Sequence, residues 1–138
     1  MIPNDVLIEI KSYLDKENKH YLLACYMIHY LFVRPGEMCF LKIKDLSEDK
    51  RTLTLSGSHT KNGHDAVITI PNHVIDLMRE LEIFSAPPGY YIFSNDFRPG
   101  PERIKAIAFT RFWTSNVKKA LNLSEVYKLY SLKDTGIT

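Results

Sequence analysis

The strongest hydrophobic signal runs from Tyr21 to Val33, a stretch apolar on every face apart from His29. A helix that is apolar all round is a buried helix. The stretch is shorter than the ~20 residues a bilayer span needs, so it predicts a core helix and no membrane segment. Upstream, Val6, Leu7, Ile10, Tyr13 and Leu14 recur at helical spacing, with Asn4 or Asp5 as candidate caps. Asp15 to Lys19 reads as a charged turn. Downstream comes Arg34-Pro35-Gly36-Glu37. Pro35 cannot continue the helix and pushes Arg34 into extended backbone, yet it can open a new helix as its first residue. Met38, Leu41 and Ile43 then return to the core. A guanidinium is thereby mounted at a sharp junction between two anchored segments, the arrangement that phosphate recognition requires.

From Lys50 to Pro71 the period changes to two. Thr52 to Leu55 alternates, Ser56-Gly57-Ser58 turns, His59 to Lys61 reads as a short strand, and Asn62-Gly63 is a strong hairpin signal before a return strand at Ala66 to Ile70. Pro71-Asn72 opens a helix to about Leu81, with Val74, Leu77, Met78 and Leu81 facing inward. After a loop at Ser85 to Gly89, Tyr90 to Phe93 reads as extended and Asp96 to Pro101 as a Pro/Gly loop. Phe109, Phe112, Trp113, Val117 and Leu121 mark a helix over about Ile107 to Leu121, whose outer face presents Arg111, Lys118 and Lys119. Ser131, with Asp134 three residues on, resembles a capping box. These elements predict one domain over 1–138 of the α+β class, mainly helical with a small three-stranded antiparallel sheet.

Composition adds little to that picture, and charge adds more. At 45% hydrophobic and 25% charged the chain is ordinary for a globular domain. Residues 1–97 carry 10 Lys/Arg against 13 Asp/Glu, whereas residues 98–138 carry 8 against 3. The balance of +5 in the last third points to a face for a polyanion. Cys25 and Cys39 sit in apolar surroundings without metal-type spacing, as reduced core cysteines of a cytoplasmic protein do. Met1 to Asp5 lacks the basic start and apolar core of a signal peptide. His59 and His64 lack a third ligand, so no metal is expected, and no cofactor motif is present.

Three separated features combine into a family resemblance: Arg34-Pro35-Gly36-Glu37-Met38 with Leu41 and Asp45-Leu46; Lys61 beside Asn62-Gly63; and Tyr130-Ser131-Leu132-Lys133-Asp134-Thr135. In order and spacing they resemble the catalytic boxes of the tyrosine recombinases (phage integrases), over nearly the whole chain. The resemblance implies metal-free strand cleavage and rejoining of double-stranded DNA through a 3′-phosphotyrosyl intermediate, in DNA recombination or integration by a mobile element of a bacterial cytoplasm. By matched position Arg34 is the first arginine and Lys61 the general acid. Tyr130 stands where the family has histidine, and Lys133 where it has its second arginine. Lysine keeps the charge but loses the bidentate fork. Tyrosine is a poorer base than histidine at neutral pH. Asn62, Arg111 and Lys118 are the expected DNA contacts.

The resemblance also implies a nucleophilic tyrosine some tens of residues beyond Thr138, since Tyr127 and Tyr130 come too early. The 138 residues are therefore expected to be an incomplete catalytic domain, monomeric and inactive alone, whose full-length parent is an enzyme assembling as a tetramer on DNA. The alternative is a non-catalytic DNA-binding or interaction module that kept the fold. The ordinary readings remain beside these roles: a junction arginine paired with Glu37, a solvated Lys61, a first-turn Lys133 and a buried Tyr130.

Overall fold

The structure is a computed structural model and describes residues 2–57 and 63–135, without the side chains of Asp134 and Thr135. The first helix, α1, spans Asn4–Glu17 and turns Ile10 and Leu14 into the core. Its cap is neither Asn4 nor Asp5. Pro3 holds the cap position in extended backbone, and its carbonyl accepts from the N–H groups of Val6 and Leu7. The expected charged turn shrinks to Asn18, because α1 continues to Glu17 and α2 (Lys19–Leu31) begins at once. The Asn18 side chain accepts from the Tyr21 N–H at 3.0 Å, a side-chain N-cap.

Helix α2 is the axis of the domain. Eight of its residues are buried, including Leu23, Met27 and Ile28 with no exposed surface. Tyr21 buries its ring between Phe97 and Phe112 and donates its hydroxyl to the Phe109 carbonyl at 2.7 Å. The helix is shorter than the apolar run. Arg34, preceding proline, must be extended, so the chain leaves the helix two residues earlier. Phe32 makes the exit in the left-handed region at φ 58, 44% exposed. Pro35 then opens α3 (Pro35–Met38).

The sheet has three antiparallel strands in the order β1 (Leu46–Ser47), β2 (Thr52–Leu55), β3 (Ala66–Thr69). Class and strand number follow the sequence reading, but the membership differs. β1 at Leu46–Ser47 pairs Leu46 with Leu53, while β2 pairs directly with β3 from Thr52↔Thr69 to Leu55↔Ala66. The short strand expected at His59 to Lys61 lies outside the described residues. Leu53 and Leu55 face the core and Thr54 faces out, the period of two that marked the segment. The hairpin neck is tight: a Cβ on Gly57 would meet the Gly63 carbonyl oxygen at 2.5 Å, and Gly63 itself takes φ 75.

Helix α4 (Asn72–Glu80) buries Val74, Ile75, Leu77 and Met78. Tyr91 reads as extended, and it bridges Lys42 on one side and Gly100 on the other. Helix α5 (Ala106–Phe112) runs on into a π-helical stretch, Trp113–Lys118, which keeps Trp113 and Val117 in the core. The chain closes on α6 (Ser131–Thr135), packed against α2.

Candidate functional site

The site forms where two distant parts of the chain meet. The first mount is the α2–α3 junction. Arg34 is extended at φ −79, ψ 150, and its backbone N–H donates to the Glu37 Oε1 at 2.9 Å. The Glu37 carboxylate thus grips the arginine's backbone. Among the described residues no carboxylate forms an ion pair with the Arg34 guanidinium. The ordinary reading of an arginine neutralised by Glu37 is therefore not what the geometry holds. One turn on, Cys39 donates its Sγ–H to the Gly36 carbonyl at 3.1 Å. Burial pushes that thiol up while the Arg103 guanidinium pulls it back. It is a packed residue of the mount rather than a nucleophile.

The second mount is the turn from Tyr127 to Lys133. Trp113 Nε1–H donates to the Tyr127 carbonyl at 2.9 Å, and Lys128 N–H donates to Ser131 Oγ at 3.1 Å. The Ser131 hydroxyl thus bonds upstream. The Asp134 half of the expected capping box lies outside the described side chains. Leu129 and Leu132 are buried and fix the turn. The Nδ1–H of His29, from α2, donates to the Leu132 carbonyl at 2.9 Å.

Between the mounts stands Tyr130. The Arg34 guanidinium lies 6.0 Å from its ring centroid and the Lys133 ammonium 5.4 Å. Each contact is of cation–π type, worth about 0.5–1 kcal/mol where partly exposed. The Tyr130 hydroxyl is buried and has no hydrogen-bond partner among the described residues. A buried donor left unpaired costs roughly 1–3 kcal/mol. Two cations thus lie within about 6 Å of one ring, and no described carboxylate pairs with either of them.

Of the residues the sequence singled out, Arg34, Tyr130 and Lys133 are therefore brought together across 96 positions. Lys61 and Asn62 lie outside the described residues. Arg111 is exposed on α5, with no described hydrogen bond or ion pair to the cluster. Lys118 is not a free cation: its side chain is 12% exposed, and its ammonium lies 3.3 Å from the Glu125 carbonyl and 3.5 Å from the Glu125 carboxylate. Two contributors act in ways not assigned from sequence: Glu37, read there as an ion-pair partner of Arg34, holds its backbone N–H, and His29 bonds the Leu132 carbonyl. Glu37 shows itself only as the third residue after the junction, in the capping-box position. His29 carried a signal as the one polar interruption of the apolar run. Among the described residues no group of three His, Cys, Asp or Glu is placed to hold a metal. No described helix is long and apolar enough to cross a membrane.

With this geometry in hand, the class is set by the fold: a mainly helical domain with a three-stranded antiparallel sheet, of the tyrosine-recombinase type. The chain superposes on the crystal structure of XerA recombinase with a TM-score of 0.75, covering 98% of its own length at 16% identity. It spans 48% of that chain's length. At this identity the likeness establishes the fold alone. No family model matches the sequence, and no curated protein matches it.

Proposed function

We propose that residues 1–138 form the phosphate-gripping part of a DNA recombinase catalytic domain. The observation that carries this is the convergence of Arg34 and Lys133 on Tyr130, whose buried hydroxyl is unpaired. The recombinase-type fold supports DNA as the source of the phosphate. In this reading Arg34 donates two hydrogen bonds to the scissile phosphate, Lys133 adds a point charge, and the Tyr130 hydroxyl donates a third contact. Preorganised cations of this kind stabilise the charge of a pentavalent transition state, and losing one such donor typically costs ~10²–10³ in rate. Lys61, from the hairpin, protonates the departing 5′-oxygen. The attacking tyrosine belongs to sequence beyond these 138 residues, and the complete protein works in the bacterial cytoplasm without a metal, as a tetramer on DNA. Of the other expected contacts, Arg111 is free to meet the backbone and Lys118 only by releasing Glu125.

The second reading, a DNA-binding module without catalysis, is favoured by one feature: tyrosine and lysine stand where the family pattern has histidine and arginine.

The test has two arms. In the first, the 138-residue chain is titrated with duplex DNA by fluorescence anisotropy over a range of salt. Affinity should fall steeply with salt, as phosphate neutralisation requires. Arg34→Ala should weaken it by about tenfold or more, the loss of a charge-assisted contact. In the second, a parent protein with its C-terminus restored is given a suicide DNA substrate and run on a denaturing gel. A covalent adduct without divalent metal is expected, abolished by Arg34→Ala and preserved or raised by Lys133→Arg. DNA binding indifferent to Arg34 overturns the phosphate site. A covalent band from the 138 residues alone overturns the placement of the nucleophile.

A further inference from the structure

The buried helix α2 carries one side chain that its core role does not explain. His29 is half-buried in an otherwise apolar run, and an imidazole there costs free energy unless it is hydrogen-bonded. Its bond goes to the carbonyl of Leu132, 103 residues away, at 2.9 Å. That carbonyl belongs to a five-residue helix. A carbonyl close to a helix end needs a donor, and the described side-chain donor to Leu132 O is the His29 ring. Leu132 lies between Tyr130, whose ring the Arg34 guanidinium approaches, and Lys133, whose ammonium lies over that same ring. His29 lies on α2, five residues before Arg34, which follows just beyond the end of that helix. One hydrogen bond therefore ties the mount of the lysine to the mount of the arginine.

The geometry points to His29 as the positioning residue of the anion site, holding Lys133 and Tyr130 in register with Arg34. It does so through the Leu132 carbonyl, without touching the anion itself. The inference rests on the phosphate-site reading and deepens it. A backbone carbonyl only accepts, so Nδ1 must carry the proton. The Nδ1–H tautomer of His29 is therefore the one that makes the tie. Its T-shaped contact with the Tyr30 ring, centroids 4.4 Å apart, holds the imidazole plane.

The experiment uses side-chain isosteres. The amide nitrogen of asparagine occupies the place of Nδ1, that of glutamine the place of Nε2, and leucine keeps the bulk without a donor. DNA affinity of the 138-residue chain is measured for His29→Asn, His29→Gln and His29→Leu, alone and with Lys133→Ala. His29→Leu should weaken binding about as much as Lys133→Ala. The double variant should be no worse than either, because a lysine out of register contributes nothing more to lose. His29→Asn should restore binding and His29→Gln should not. A residue needed only for packing would not separate asparagine from glutamine, so equal behaviour of the two overturns the assignment, as does full additivity with Lys133→Ala. A ¹⁵N NMR spectrum of the imidazole supplies a readout independent of DNA. The Nδ1–H tautomer, with α6 amides exchanging faster in His29→Leu while α2 amides do not, supports the tie. An Nε2–H tautomer overturns it. Should wild type bind DNA without regard to Arg34, the phosphate reading fails and the NMR result alone decides the role of His29.

Discussion

Arg34 and Lys133 reach the same tyrosine ring from mounts of opposite kind. Arg34 rides on a 13-residue helix with eight buried residues, is stopped by a left-handed Phe32, restarted by Pro35 and gripped by Glu37. Lys133 rides on a five-residue helix held by two buried leucines and a few hydrogen bonds to its turn. Short isolated helices are marginal, so α6 exists by virtue of what it packs against. The arginine is placed by the core of the domain, whereas the lysine is placed by its neighbours. The first half of the site is as stable as the fold. The second, on a short helix, is expected to open at lower cost than the fold as a whole.

Core truncation breaks this comparison most directly. Leu23→Ala in α2 removes a side chain with no exposed surface and should cost about 2–5 kcal/mol of global stability, read by denaturant unfolding. Leu132→Ala in α6 is nearly as buried, yet it should cost distinctly less, because the segment it releases is small. It should still lose DNA affinity while the chain remains folded. Equal losses of global stability from the two variants would show that α6 is part of the cooperative core, and the contrast between mounts would fall.

What was legible in the sequence follows the same division. Helix α2, the proline junction that exposes Arg34, the β2–β3 pair and the buried face of α4 all declare themselves by local periodicity or by one residue's backbone restriction. The two-residue β1 is too short to show a period and was not read; the strands read at Thr52 to Leu55 and Ala66 to Ile70 are present, and the one read at His59 to Lys61 lies outside the described residues. Pro3 replaced the expected polar cap because its fixed φ already supplies the extended backbone a cap position needs. Lys118 looked like a free surface cation because its partner, Glu125, lies beyond the helix end and outside any i,i+4 pattern. The bond from His29 to Leu132 spans 103 residues, and no local rule sees it. Sequence reasoning named the three site residues now found together, from a spacing resemblance. The devices that hold them there, Glu37 and His29, emerge only with the packing.

The helix end offers a finer probe. Phe32 is non-glycine at φ 58, a conformation that costs a side chain roughly 1–2 kcal/mol. Phe32→Gly should raise stability by about 1 kcal/mol, offset in part by the apolar surface removed. Arg34 should keep its affinity for DNA, since Pro35 and Glu37 still set it. A loss of affinity in this variant would show that the strained exit, and not the two residues after it, aims the arginine.

The smallest effect tests how dry the first mount is. Burial pushes the Cys25 thiol far above its ordinary value. A folded-state pKa above the unfolded one means stability is intact below the unfolded thiol's pKa of about 8.5 and declines as the pH rises past it. Between pH 7 and pH 9 this should remove about 0.8 kcal/mol, and Cys25→Ala should flatten that decline even though it lowers stability at both values. An unchanged slope in the alanine variant would mean that solvent reaches the thiol and that α2 is looser than its packing implies.

The long separation between the halves of the site also sets an order of events during synthesis. Helices α1 and α2 complete their mutual contacts within the first 31 residues, and the sheet closes by Thr69. The cation pair around Tyr130 must wait until Lys133 has been made. Closing a loop of this length carries an entropy cost that only the packed α2 surface can repay. On a ribosome, where domains assemble as the chain emerges, the arginine is in place long before its partner lysine exists. The nascent chain therefore sets the arginine's mount well before the lysine joins it.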